Sequence, residues 1–127
     1  MSHFTRVKTK MQVRDYIVAA LTDLGFEFQV GSLRVRDYTG RRTRVQIRVP
    51  TAFRGYSIGI AKRGSGYEVV ADWWGIRGID QDTFIRNLTR RYAYHAARAE
   101  LEKQGFSLAG EEVEEDGRLH LTLRRAV

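Results

Sequence analysis

Across residues 26–73 the apolar side chains recur at every second position, while on both flanks of that stretch they recur every three or four. A period of two belongs to strands with one buried face, and a period near 3.6 to helices with one apolar stripe. A chain that changes period in this way is restricted to a sheet covered by helices.

On the N-terminal side, Val13, Tyr16, Ile17, Ala20, Leu21 and Leu24 form one stripe, which predicts a helix over 11–24. Thr9 with Gln12 fits a capping box, and Gly25 stands where a left-handed C-cap belongs. The preceding "SHFTRVKT" alternates and predicts a first strand. The period-two region predicts strands at 26–30, 33–38, 43–49, 56–62 and 67–73, the first two readable as one bent strand. "RGSGY" at 63–67 is glycine-rich but leads into a strand. It therefore reads as a hairpin turn and not as a phosphate-cradling loop, which needs a helix to follow.

A second helix is predicted over 82–103, capped by Asp80 or Asp82, with Ile85, Leu88, Tyr92, Ala96 and Ala99 as its main stripe. Tyr94, Ala97 and Leu101 lie on its other side. A hairpin follows, 107–114 and 118–125 around Asp116-Gly117. "LTDLGFEF" and "LEKQGFSL" share the succession helix, glycine, phenylalanine, strand; ordinary helix-end chemistry accounts for it, and an internal duplication is the alternative. The expectation is one α+β domain over 1–127. It has the order β-α-β-β-β-β-α-β-β and an antiparallel sheet of five to seven strands. Both helices sit on one face, and the other face is open to water.

Charge narrows the function classes. The net charge is +7, and 18 of the 22 basic residues are arginine. Residues 1–63 carry 13 basic and 4 acidic side chains, whereas residues 64–127 carry 9 and 11. Such a field favours anionic partners. It concentrates in "RRTRVQIRVP" at 41–50, where Thr43, Val45, Ile47 and Val49 fall on one parity and Arg42, Arg44, Gln46 and Arg48 on the other. With the first set facing the helices, Arg42, Arg44 and Arg48 face water. They are joined there by Arg34, Arg36 and Tyr38, by Arg124 of the last strand, and by the small residues Ser57, Gly59 and Ala61. Guanidinium groups suit phosphate and planar partners, so this layer is a candidate surface for nucleic acid or another polyanion. The plainer alternative is a solvated face on which Glu68, Asp72, Glu112 and Glu114 neutralise the arginines across strands.

A second candidate surface is apolar. In "ADWWGIRG" neighbouring tryptophans point to opposite faces, so one of Trp73 and Trp74 is core and the other exposed beside Arg77. With Tyr92, Tyr94 and His95 of the second helix they form a candidate anchor for a protein partner. A catalytic reading requires Asp72, His95 and the tyrosines to converge in a pocket.

Cysteine is absent, which excludes thiol chemistry and thiolate metal sites. His3, His95 and His120 have no metal-like spacing. No apolar run is long enough to span a bilayer, and the start lacks a signal core. The expectation is a soluble cytoplasmic protein with no cofactor, no metal and no membrane association. The acidic "EEVEEDG" at 111–117 is a candidate contact to the arginine layer of a second copy, giving a homo-oligomer.

The pieces "MSHF", "ALTDLGF", "YEVVADWW", "RRYAYH" followed by "GF", and "EDGRLHLTLRR" occur in this order over nearly the whole chain. Together they resemble the hypothetical chloroplast reading frame thirty-five family, a domain of unknown function of cyanobacteria and red-algal plastids. The resemblance implies a bacterial cytoplasm or plastid stroma and an accessory role beside photosynthetic or ATPase-associated proteins. It supplies no catalytic residues. The function expected from the residues is a small non-enzymatic binding module with a basic sheet face, with a protein adaptor as the alternative.

Overall fold

A computed structural model describes residues 3–52 and 55–125. The elements follow as β1 (Thr5–Lys8), α1 (Arg14–Asp23), β2 (Gln29–Arg36), β3 (Arg42–Pro50), β4 (Ser57–Arg63), β5 (Gly66–Ala71), a short 3₁₀ turn (Trp73–Gly75), α2 (Gln81–Lys103), β6 (Phe106–Val113) and β7 (Leu119–Arg125). The fold is α+β with the expected order. The expected start of the first strand at Ser2 lies outside the described residues. The chain forms two compact units, residues 1–92 and 93–127, with the boundary inside α2.

In the first unit five strands form an antiparallel sheet in the order β1-β5-β4-β3-β2. Its helix-covered face is built from Ile47, Val49, Ile58, Ile60, Tyr67, Val69 and Ala71. Ile17, Ala20 and Leu21 of α1 pack on it with Phe84 and Leu88 of α2. Both helices thus lie on one face, as the two stripes require. α1 is shorter than its apolar periodicity, beginning at Arg14 with Val13 as an N-cap that offers no side chain. Thr9 is used elsewhere: its hydroxyl donates to the Tyr67 carbonyl at 2.7 Å and accepts from the Met11 N–H at 3.1 Å. The Gln12 amide, which a capping box would have bonded to the Thr9 hydroxyl, donates instead to the Tyr92 hydroxyl, as does the Val13 amide, each at 3.0 Å. At the other end the Gly25 N–H bonds the Thr22 carbonyl and the Phe26 N–H the Leu21 carbonyl, closing the helix as its glycine predicts. Asp80 caps α2, accepting from the Thr83 N–H and hydroxyl at 3.0 Å each.

The second face of the sheet is not open to water. Val35, Val45, Ala61 and Val70 form a second buried cluster there, with Phe4 and Leu33 packed against it. Val45 and Ile47 share a parity, yet one belongs to this cluster and the other to the helix-side core. The reason is local. β3 pairs with β4 only from Ile47 to Pro50. Beyond that point Gln46 Oε1 accepts the Lys62 N–H at 2.6 Å in place of a backbone carbonyl. β2 carries a bulge between Val30 and Leu33. A bulge bends and twists a strand, and here the outer half of the β2–β3 ribbon folds across β4 and β5.

Gly59 makes this crossing possible. A Cβ at that position would overlap Val45 Cγ1 and lie 3.1 Å from Val35 Cγ2. The ribbon is further fastened by its Thr43 hydroxyl, which accepts from Arg6 at 3.1 Å and from Arg63 at 3.5 Å.

In the second unit β6 and β7 form a two-stranded sheet of their own, so the last hairpin does not extend the five-stranded one. Leu108, Leu119, Leu121 and Leu123 are half-buried while Arg118, His120, Thr122 and Arg124 alternate with them in solvent. The Tyr94 hydroxyl donates to Glu111 at 3.2 Å and accepts from Arg98 at 3.3 Å within this unit.

Candidate anion-binding site

The folded-over ribbon has two sides. Leu33, Val35, Thr43 and Val45 face the sheet beneath. On the other side Arg34 stands directly opposite Arg44, and Arg36 directly opposite Arg42. Two cross-strand pairs of like charge are therefore stacked along one ribbon, each destabilising by its own repulsion. Among the described residues no ion pair joins Arg34, Arg36, Arg42 or Arg44 to a carboxylate.

Arg34, Arg36 and Arg42, with Arg48, line a groove of 720 Å³ whose remaining wall is Gln29, Val35, Pro50, Gly55 and Ser57. Among the described residues no acidic side chain lines it. Two of the four arginines are held in place. Arg48 Nε donates to Gln29 Oε1 at 2.8 Å and its Nη1 to the Arg34 carbonyl at 3.2 Å. The Arg36 guanidinium lies 5.0 Å over the Tyr56 ring, a cation–π contact. Arg34, Arg42 and Arg44 are exposed.

Carboxylates neutralise other arginines. Glu68, buried on β5, pairs with Arg6 at 2.9 Å and with Arg63 at 3.5 Å. Glu114 takes Arg118 at 2.9 Å and His120 at 2.8 Å in the second unit. The neutralisation anticipated across strands therefore operates for Glu68, whereas Glu114 pairs from the hairpin turn and Asp72 turns its carboxylate to the Tyr38 N–H at 2.8 Å.

The remaining site candidates lie on other elements. Arg124 stands on β7 opposite Ser107. Ser57, Gly59 and Ala61 do not form a shared exposed layer with the arginines, because Gly59 and Ala61 are buried under the ribbon. Tyr38 is 61% exposed at the hairpin tip, where it meets Trp74, itself 69% exposed. Trp73 turns inward toward Phe84, so the two tryptophans divide between core and solvent. Arg77 is exposed past the 3₁₀ turn. Tyr92 is committed to the N-terminus of α1. Tyr94 is buried and bonded to Glu111, with the His95 ring 4.9 Å away edge-on.

Sequence reasoning missed Asp37. Buried at the hairpin tip, its Oδ1 accepts from the Thr39 hydroxyl at 2.7 Å, the Thr39 N–H at 2.9 Å and the Arg41 N–H at 3.0 Å. The Thr39 hydroxyl, followed by these amides and the Arg41 charge, holds its carboxyl below the ordinary range. Asp37 standing two positions before Thr39-Gly40, in "DYTG", is the signal that could have found it.

Among the described residues no group of three or more His, Asp or Glu side chains could hold a metal ion, and no helix is long and apolar enough to cross a membrane.

The family profile described as "Protein of unknown function (DUF1257)" matches residues 20–122. The chain belongs to this family. "Uncharacterized protein ycf35" of Guillardia theta is 33% identical to the chain over 131 aligned positions, covering 98% of both chains. The protein of the same name from Pyropia yezoensis is 30% identical with the same coverage. That of Trieres chinensis is 28% identical over 92% of each. No solved structure matches the chain.

Proposed function

We propose that the chain is a non-catalytic binding module that takes nucleic acid or another polyanion on the arginine side of the β2–β3 ribbon. One observation carries this reading: Arg34 faces Arg44 and Arg36 faces Arg42, and among the described residues no ion pair joins them to a carboxylate. A solvated structural surface would gain by placing an acid opposite each arginine. A phosphate backbone supplies the missing charge, and guanidinium forks bind its oxygens two at a time.

Heparin chromatography tests the proposal. Retention that falls steeply with salt and drops in the Arg34→Gln/Arg44→Gln variant supports it. Retention that ignores salt, or survives the double replacement unchanged, removes it. The adaptor alternative draws on the exposure of Trp74 and Arg77. Tyr92 and Tyr94 have their hydroxyls engaged within the fold.

A further inference from the structure

Where the arginine side of the ribbon ends, two aromatic rings stand in solvent. Tyr38 follows Arg36 by two residues, and Trp74 meets it edge to face with ring centroids 5.5 Å apart. Their exposures, 61% and 69%, leave most of both rings uncovered.

This pair is mounted rigidly. The Tyr38 N–H donates to Asp72 Oδ2 at 2.8 Å, tying the hairpin tip to the segment that carries Trp74. The 3₁₀ turn is closed by the Gly75 N–H on the Asp72 carbonyl at 3.1 Å. Trp73 is turned into the core, so its neighbour points out. Gly75 lies flat against the Tyr56 ring, where any Cβ would overlap the ring carbons. Tyr56 in turn carries the Arg36 guanidinium at 5.0 Å. Arg36, Tyr56, Gly75 and Trp74 thus form one continuous path from groove to aromatic pair.

Exposed apolar area of this size next to a carboxylate-free cationic groove has a specific chemical complement. A chain of phosphates needs only the arginines, and a duplex keeps its bases stacked inside. A single strand offers both a phosphate backbone and free base faces. We infer that the Tyr38–Trp74 pair is a base-stacking site continuous with the arginine groove, and that the ligand is single-stranded nucleic acid. This rests on the polyanion reading above and narrows it to one ligand class. Stacking on an aromatic side chain is sequence-tolerant, so no base preference is expected.

The test uses the full chain with dT12, rU12, a 12-base-pair duplex, heparin and poly-glutamate. Tryptophan fluorescence and anisotropy of labelled ligands are the readouts. The expected result is quenching by a single strand, with affinity for it lowered about tenfold by Trp74→Ala. Trp74→Phe should restore part of the loss, and heparin retention should not change in either variant. Tyr38→Ala, whose ring touches Trp74 at the surface, provides the same comparison should Trp74→Ala fail to fold.

A weaker hold on rU12 than on dT12, or the reverse, assigns the source as DNA or RNA and leaves the stacking site in place. The inference is overturned if the aromatic variants bind the single strands as tightly as the parent, or if the duplex binds at least as tightly. Poly-glutamate matching the single strands also overturns it. Heparin binding that persists in those cases keeps the polyanion reading alive. Loss of heparin and oligonucleotide binding together ends both.

Discussion

Arg34 and Arg44 stand directly opposite each other across β2 and β3, on the ribbon side that faces away from the sheet. Like charges in that position repel, at a cost of about 0.2–1 kcal/mol per pair. Replacing one with glutamine should leave thermal stability unchanged or raise it by about that amount, while lowering affinity for heparin. Urea denaturation of Arg44→Gln beside heparin retention checks both halves. A variant that is less stable and binds equally well would make the pair a structural feature.

The crossing of the ribbon over β4 depends on Gly59. An added methyl group would meet the stiff, buried Val45 and Val35 side chains. Gly59→Ala should therefore destabilise the fold by about 1–3 kcal/mol, the range for overpacking a filled core. Were the far face of the sheet open to water, the same change would be neutral, so the midpoint of denaturant unfolding decides between them.

Tyr92 serves α1 across a long sequence separation, accepting from the Gln12 and Val13 amides with one hydroxyl. Tyr92→Phe keeps the ring against Tyr16 and removes only the oxygen. The expected loss is about 1 kcal/mol, because both amides lie near solvent. Hydrogen exchange at Gln12 and Val13 should speed up in the variant. Unchanged protection there would contradict the assignment.

Asp37 predicts a pH dependence at the hairpin tip. Its carboxyl sits below the ordinary value of 3.8, chiefly through the Thr39 hydroxyl. A depressed folded pKa means that folding favours the ionised form. The contribution is complete above 3.8 and is lost as pH falls through the lower folded value. The Thr39 and Arg41 amide resonances should titrate with a midpoint below 3.8, and Asp37→Asn should abolish that titration. A midpoint at or above 3.8 would show that the tip carboxylate is not held.

Much of this architecture is written in the order of apolar positions. The element order, both helices on one face and the bent β2 follow from periodicity. Trp73 and Trp74 do divide between core and solvent, but in a 3₁₀ turn and not in the strand whose alternation predicted it. The second cluster does not follow. Parity assumes a continuous ladder, and the ladder of β3 on β4 stops at Ile47, where the Gln46 side chain substitutes for a carbonyl. Nothing in "RVQIR" distinguishes that glutamine from a solvent-facing one. The same break explains why the arginines keep a shared side although the sheet face first assigned to them is buried. Pairing of Arg34 with Arg44 is a property of the β2–β3 ribbon, and it survives the folding of that ribbon onto β4 and β5. The cap of α1 is illegible for a different reason, because its donor and acceptor stand 80 residues apart in the chain.

The salt dependence of single-strand binding measures the arginine ribbon most directly. Each phosphate neutralised contributes about −0.7 to the slope of log K against log salt, so four guanidinium groups in contact predict a slope near −3. Arg34→Gln/Arg44→Gln should flatten it by about 1.4, the share of two phosphates. A slope near zero, or one that the double replacement leaves untouched, would contradict the account.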